Sequence, residues 1–424
     1  MSLRRLLTQP ATAAWILLDW AASSFSTISI TLVVAYVDTM VFADGAWGVP
    51  GGVVWAWLMA AAMLTAAVLS PLVAAWADRY RAHQAAVVVS AAVGCAGCLG
   101  LALVPPTAAL AVAGCILVAT VAFDMAAIFT GSLLPKLATG HDADRLSAAG
   151  FASGYAGGAL ALLLATSIVT AHQQLGISLT TGFRWGFALM GLWWLVFSLP
   201  MAAVRIGGQT APHASTSYAE LVAFARDLGW GSCGRLKPSR LGWLLLAVVV
   251  VLGVVQTAIS QFSNVAIETF HLDPQALVKL VLLVQLVALP GAVGMGWLSG
   301  RVSREWAAGL CLAGWAVVLA LAGLITTVPQ LYALAVLLAL VLGGIQSILR
   351  SLLAVEAPAG HHAATFGLMQ VGTKLTGFAA SLGFGWAYAS SGSPRAGLGL
   401  LLVQLLVGWW LLRRVRGRAD TTRD

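Results

Sequence analysis

The chain is organised as twelve long apolar stretches separated by short polar segments. A helix needs about 20 consecutive apolar residues to cross the roughly 30 Å hydrocarbon core of a bilayer. Of the 424 residues, 60% are hydrophobic and 9% are charged. We therefore predict an all-α polytopic membrane protein with twelve transmembrane helices, which leaves little chain for a soluble catalytic domain. The predicted spans cover residues 11–37, 51–76, 85–104, 107–134, 146–171, 184–204, 241–268, 276–299, 306–327, 330–354, 364–390 and 394–412.

A long polar break divides the spans into two groups of six. We predict an N-terminal six-helix bundle at residues 1–204, a cytoplasmic central loop at 205–240, and a C-terminal six-helix bundle with a short basic tail at 241–424. Similar segments recur at equivalent places: PLVAAWADRYR matches GWLSGRVSR, and FASGYAG matches FGLMQVG. Such internal repeats are typical of transporters whose two halves rock about a central site.

The basic residues predict the orientation of the chain. Short cytoplasmic loops of membrane proteins collect Lys and Arg. Of the 23 Lys and Arg residues, 18 fall in segments on the side of the termini and two, Arg184 and Arg395, fall on the other side. We expect both termini to be cytoplasmic and the first apolar run to be a retained helix, not a cleaved signal peptide. The net charge of +8 is then an orientation signal, and we expect no nucleic-acid partner.

The charged side chains inside the predicted spans that topology does not explain are chiefly Asp19, Asp124, Arg350 and Lys374. A charge near the bilayer centre costs about 2.5–3.5 kcal/mol on insertion scales, so each needs a partner, a wet cavity or a function. We predict that Asp19 and Asp124 carry coupling protons and that Lys374 and Arg350 bind a substrate carboxylate. The alternative is that the acids are structural, either protonated or in fixed ion pairs with the two cations. Arg350 is also close enough to the interface to extend into the headgroups.

Uncharged polar residues form stripes on several of the same spans. In span 7, Gln256, Ser260, Asn264 and Glu268 recur every four residues, which places them on one face of a helix. Such stripes favour an aqueous cavity in which amides and hydroxyls orient a small solute. The further substrate-binding candidates are therefore Gln256, Ser260, Asn264, Gln346, Gln370 and Ser23.

Several blocks resemble a known family. LDWAASSF (18–25), SLLPKL (132–137), RLSAAGFASGYAGGAL (145–160), GLWWLVFSLPM (191–201), GGIQSILRSLLA (343–354) and FGLMQVGTKLTGF (366–378) resemble the vacuole-effluxer-like branch of the major facilitator superfamily. That branch includes autophagy-related vacuolar amino-acid effluxers. The chain departs from the family pattern at Ala22 and Lys136, where the family usually has Asn and Glu.

The DRYR sequence at 78–81 resembles the signature loop of that superfamily, in which an acid and bases clamp the inner face. An ordinary positive-inside loop is the alternative explanation. The glycines of predicted span 5 favour close helix packing or a hinge. The resemblance thus implies a set of gating residues: Asp78, Arg79, Arg81, Arg301, Glu356, Gly150 and Gly154.

Together these features predict a proton-coupled secondary active transporter that moves a small polar or zwitterionic solute, such as an amino acid, by alternating access. The expected partners are the substrate, protons or another coupling ion, and the lipid of a bacterial cytoplasmic membrane, and we expect a monomer. A lipid or amphiphile flippase or drug exporter, and a non-transporting receptor or assembly factor, are the alternatives.

An enzyme is disfavoured, because the loops contain no phosphate-binding glycine loop, metal cluster or nucleophile–base pair. Cys95 and Cys98 are interpreted as packing residues. Met59 and Met63 lie one turn apart, but without intramembrane histidines they do not make a convincing copper pathway. We expect no cofactor and no metal.

Overall fold

The computed structural model describes residues 9–80, 82–138, 141–204, 206, 226, 239–302, 304–356 and 362–420. Within these ranges the chain forms twelve long helical segments. They are α1 (Pro10–Val41), α2 (Gly51–Arg79), α3 (His83–Leu103), α4 (Ala109–Leu137), α5 (His141–Thr170), α6 (Leu179–Ala203), α7 (Arg240–Phe270), α8 (Pro274–Arg301), α9 (Arg304–Ala322), α10 (Val328–Glu356), α11 (His362–Ser391) and α12 (Pro394–Asp420).

Local sequence signals explain where several helices begin. Ser178, Ser239 and Asp273 occupy N-cap positions, and each side chain accepts a hydrogen bond from a backbone N–H in the first turn of α6, α7 or α8. These bonds satisfy donors that have no partner inside the helix. His271 ends α7 in the left-handed conformation, with φ of 51°. The turn between α7 and α8 is therefore short, because His271 ends α7 and Asp273, two residues later, caps the start of α8.

The helices correspond to the twelve predicted spans, with longer polar ends. Eleven of the described helices contain an apolar window long enough to cross a membrane, and α11 is not among these eleven. α11 carries Lys374 and several Thr and Ser residues, yet it packs along α2, α7 and α12. α1 runs to Val41 instead of ending at residue 37, because π-helical segments at Ser29–Val33 and Val37–Val41 continue it.

The helices form two six-helix bundles with the same internal packing. In the first half (α1–α6), α1 packs on α5 and α6, α3 packs on α4 and α6, and α2 packs on α4. In the second half (α7–α12), α7 packs on α11 and α12, α9 on α10 and α12, and α8 on α10. Each pair in one half thus has its counterpart six helices later. The prediction of an all-α protein built from two pseudo-symmetric bundles is confirmed.

The two halves meet along two pairs of helices, α2 with α11 and α5 with α8, which are again related by the repeat. We call the end of the molecule at which α1 begins and α12 ends the terminal end, and the opposite end the distal end. Most of the predicted central loop, residues 207–225 and 227–238, lies outside the described residues. The predicted boundaries of the two bundles therefore stay a prediction.

Candidate functional site

A buried ion pair joins the two halves near the middle of the helices. Lys374 Nζ on α11 donates to Asp124 Oδ1 on α4 over 2.5 Å. The two side chains are 11% and 10% exposed, respectively. The sequence assigned these residues to different roles, and the structure brings them into direct contact. Fixed pairing of the intramembrane charges, which was the structural alternative, is thus the geometry observed for these two.

The residues that flank the ion pair in sequence also belong to buried contacts. Phe123, next to Asp124, packs its ring against Phe25 and Trp194 in the first half. On α11, the neighbouring Thr373 is buried, and its hydroxyl has no hydrogen-bond partner among the described residues. Charges in such surroundings lose most of their hydration, so each ion depends on the other. The two charges attract each other strongly while both are present. Removing one of them would leave the other buried without a partner, which would destabilise the protein.

The polar stripe of α1 lies against the glycines of α5. A Cβ atom placed on Gly150 would overlap Asp19 Oδ2, and one placed on Gly154 would lie 2.7 Å from Ser23 Oγ. Both predicted gating glycines therefore allow α5 to approach α1 closely at its polar side chains. Asp19 is half-buried in this contact. Asp19 and Asp124 thus lie in different helix contacts, Asp19 between α1 and α5 and Asp124 between α4 and α11.

The predicted ladder on α7 lies at the junction of the halves. Asn264 Nδ2 donates to Gly52 O at the start of α2 over 3.0 Å, and Trp55 Nε1 donates to Ser260 O over 2.9 Å. Ser260 Oγ donates to the Thr257 carbonyl in the preceding turn. In this conformation, Ser260 and Asn264 therefore join the two halves at the distal end of the interface between them. Gln256, one turn earlier, is half-buried.

Sequence reasoning missed a further polar contact between the halves. Gln285 Nε2 on α8 donates to Thr27 Oγ1 on α1 over 2.6 Å. A Cβ atom on Gly158 would lie 2.5 Å from Thr27 Oγ1 and 2.9 Å from Gln285 Nε2, so this glycine of α5 makes room for the bond. Gln285 is isolated in the apolar run LVLLVQLVAL. A lone amide within a span is the signal that could have found it.

The remaining substrate-binding candidates are less well defined. Gln346 on α10 and Gln370 on α11 are half-buried. Arg350 lies on α10, but its side chain is outside the part that the structure describes.

Among the charged gating candidates, the structure describes the side chains of two. Glu356 Oε1 pairs with Arg240 NH2 over 3.0 Å, which ties the end of α10 to the start of α7 inside the second half. Arg301 is exposed at the terminal end. The side chains of Asp78 and Arg79, and the whole of Arg81, are outside the described residues.

The two similar six-helix bundles are the fold of major facilitator superfamily transporters, and the family and the relative that this chain matches are transporters, not enzymes. A family model described as "Vacuole effluxer Atg22 like" matches residues 139–421. The chain belongs to that family, as its sequence motifs predicted.

Individual relatives agree with this assignment. The chain is 22% identical over 417 residues to the "Uncharacterized MFS-type transporter YxiO" of Bacillus subtilis (strain 168), covering 96% of this chain and 95% of the relative. Among solved structures, the partially occluded inward-open xylose transporter XylE from E. coli is similar with a TM-score of 0.71 and 13% identity, covering 96% and 97% of the two chains. The human organic anion transporter MFSD10 (TETRAN) is similar with a TM-score of 0.65 and 16% identity, covering 97% and 100%. At these identities the solved structures support the fold alone.

Proposed function

We propose that this transporter moves a small zwitterionic solute, of which amino acids are the leading class, by proton-coupled alternating access in a bacterial cytoplasmic membrane. The observation that carries the proposal is the buried ion pair between Lys374 and Asp124, because it joins the two halves that must separate during transport. Membership of a family described as vacuole effluxers also supports the transport of small solutes.

The ion pair favours substrates that carry both charges. Drawing α4 and α11 apart would leave Lys374 and Asp124 desolvated and unpaired, which is strongly unfavourable. A zwitterion placed between them supplies a carboxylate to the ammonium and an ammonium to the carboxylate. A neutral sugar supplies neither charge. When the substrate is an amino acid, the ion pair between Lys374 and Asp124 is therefore replaced by two ion pairs with the substrate, and no charge is left unpaired.

The same reasoning gives Asp124 a role in proton coupling. A substrate with a carboxylate but no ammonium would bind Lys374 and leave Asp124 uncompensated. A proton taken up by Asp124 would remove that charge and let the site close around the anion. Asp19 is the second proposed proton carrier, since it is half-buried where α1 meets α5. In this scheme, a monoanion needs a proton at Asp124 for charge balance, and the transport of a zwitterion is coupled to the proton that Asp19 carries.

The observed conformation fits one stage of such a cycle. The hydrogen bonds from Asn264, Trp55 and Gln285 cross between the halves in the distal and middle parts of the helices. With the termini in the cytoplasm, as the basic residues predict, the distal end faces outward. The structure then corresponds to a transporter closed on its outer side.

The proposal is tested by thermal shift and uptake measurements on the purified chain, with a matched series of ligands. The series consists of a neutral α-amino acid, its amide, which lacks the carboxylate, and the corresponding carboxylic acid, which lacks the ammonium. We expect the amino acid to stabilise the protein and to be taken up by proteoliposomes. The amide should do neither, and uptake of the acid should require an inward proton gradient.

The variants are Lys374→Ala, Asp19→Asn and Asp124→Asn, with Lys279→Ala as the control because Lys279 is an exposed cation on α8. Lys374→Ala should abolish stabilisation by the amino acid, and the control should retain it. Unchanged flux in both aspartate variants, together with uptake independent of the pH gradient, would remove the coupling role. Stabilisation by amphiphiles alone would favour a flippase or drug exporter.

A further inference from the structure

The outer surface of α12 combines an apolar strip with two cations at one end. The strip, which we call the outer strip, consists of exposed residues at helical spacing: Val403, Leu406, Val407 and Trp410. It ends one turn later at Arg413 and Arg414, whose side chains are also exposed. The opposite face of α12 packs on α7, where a Cβ atom on Gly408 would lie 2.7 Å from Val251 Cγ2. The outer strip therefore faces away from the rest of the protein.

The two cations lie at the level of the lipid headgroups. The apolar window of α12 runs from Pro394 to Val415, so Arg395 and Arg413 are near its two ends. These two arginines are 18 positions apart in the sequence. On a helix this separation is about 27 Å, close to the roughly 30 Å thickness of the hydrocarbon core. Arg413 therefore emerges where acyl chains meet phosphates, and the outer strip lies along the acyl chains.

Each of the two guanidinium groups is held over a tryptophan of the preceding turn. Arg413 Cζ lies 4.7 Å from the centroid of the Trp409 ring, and Arg414 Cζ lies 4.0 Å from that of Trp410. Trp409 is itself packed against the core of the second half. Stacking on an aromatic ring occupies the flat face of a guanidinium group and leaves the N–H donors at its edge free. The two arginines therefore present their donors in defined positions.

The described side chains do not neutralise the two cations. Neither Arg413 nor Arg414 forms an ion pair within the part of the chain that the structure describes. Glu356, at the end of α10, is paired with an arginine at the start of α7. The sequence adds Arg416 and Arg418 to the same end of α12. An anion bound at the two stacked arginines would therefore meet an excess of positive charge.

The equivalent helix of the first half, α6, lacks this arrangement. Arg184 on α6 and Arg395 on α12 occupy equivalent places, because each donates over 2.8 Å to a carbonyl at the end of α3 or just after the end of α9. Eighteen residues further along each helix, Ala202 and Ala203 stand where α12 has its two stacked arginines. The cationic end is therefore not imposed by the fold but is particular to α12.

We propose that the outer surface of α12 binds one anionic phospholipid, whose phosphate is held by Arg413 and Arg414 and whose acyl chains lie along the outer strip. Guanidinium groups bind phosphate oxygens through paired N–H donors. A zwitterionic phospholipid brings a cation beside its phosphate, and two unpaired arginines repel that cation. The site therefore selects a lipid with a net negative charge. It lies on the outside of the second half and goes beyond the proposed solute site.

The test measures which lipid collects beside α12 in a bilayer. A bimane fluorophore is attached to a cysteine at Val407, in the full chain with its five native cysteines replaced by alanine. The vesicles are phosphatidylcholine with a small fraction of doxyl-labelled lipid, either phosphatidylglycerol or phosphatidylcholine, and the doxyl group quenches fluorophores nearby. We expect doxyl-phosphatidylglycerol to quench more strongly at the same fraction. With the fluorophore at Val196, the exposed counterpart of Val407 on α6, the two lipids should quench equally.

Four variants make the result specific to the stacked arginines. Arg413→Gln and Arg414→Gln should each lower the preference for phosphatidylglycerol by up to about fivefold, and the double variant should abolish it. Lysine at both positions keeps the charges but lacks the flat face and the paired donors, so it should restore the preference only in part. Lys279→Gln removes an exposed cation on α8 and should change nothing.

Two results would overturn the proposal. The first is equal quenching by the two lipids in the parent protein. The second is an unchanged preference in the folded double-glutamine variant, or in both single variants if the double variant does not fold. A double-lysine variant with the full preference of the parent would contradict the role given to stacking.

Discussion

Removing the ammonium group of Lys374 is the sharpest perturbation that the structure offers. Lys374→Met keeps most of the side-chain volume and deletes the charge, which leaves the Asp124 carboxylate about nine-tenths buried without its partner. The variant therefore tests whether the ion pair is as desolvated as its burial implies. Asp124→Ala tests the same point from the other side, and the double variant removes both charges together.

The expected magnitude follows from the geometry of the pair. At 2.5 Å and an effective dielectric constant of about 20, the attraction is about 7 kcal/mol. Desolvation of two ions offsets much of this gain, so the net value of the pair is far smaller. Deleting one partner still leaves an uncompensated charge and should lower the free energy of unfolding by about 3–5 kcal/mol. The double variant should recover most of that loss, because no charge is left buried alone.

The assay is equilibrium unfolding in mixed micelles, followed by the fluorescence of the 17 tryptophans, and analysed as a double-mutant cycle. Single variants within about 0.5 kcal/mol of the parent would show that the pair is solvated, and would refute this reasoning.

Three further outcomes are expected from thermal unfolding in detergent. Gly154→Val should destabilise the protein by about 1–3 kcal/mol, because its side chain has no room against α1, whereas Gly114→Val should have little effect, because nothing lies within 4 Å of a Cβ there. Asn264→Ala should cost about 1–2 kcal/mol through the lost bond to the start of α2. Gln285→Leu should cost about 1 kcal/mol or less, as is typical for hydrogen bonds between membrane helices, and an increase in stability would contradict the assigned bond.

The secondary structure was predictable because each helix that crosses a bilayer needs a run of about 20 apolar residues. Every predicted span corresponds to a helix, and the errors lie at the ends, where polar residues extend helices such as α5 beyond their apolar cores. The repeat was also visible, since duplicated loops keep similar charges. Hydropathy measures only the average environment of a helix, so it could not foresee the π-helical continuation of α1.

The site was only half predictable. The individual residues Asp124 and Lys374 could be identified because a charge inside a span is expensive. Their partnership could not, because 250 positions separate them in the sequence and the contact depends on where α4 passes α11. Asp38 was overlooked for a different reason. It lies at the end of an apolar run, where an acid is ordinary, and only the fold places it beside Gly51 at the start of α2.

The π-helical segments in α1 have a geometrical consequence for its two acids. An α-helix turns about 100° per residue, and each wider π turn delays that rotation, so the distal part of α1 has a different azimuth from its beginning. Asp19 and Ser23 lie before the first π segment and are directed towards α5, while Asp38 lies after it and is directed towards the start of α2. The two ends of one continuous helix thus present their acids to different helices of the same bundle. If Ser29–Val33 were a regular α-helix of the same length, the distal face would be rotated by roughly 100° relative to the proximal face, compared with its present direction.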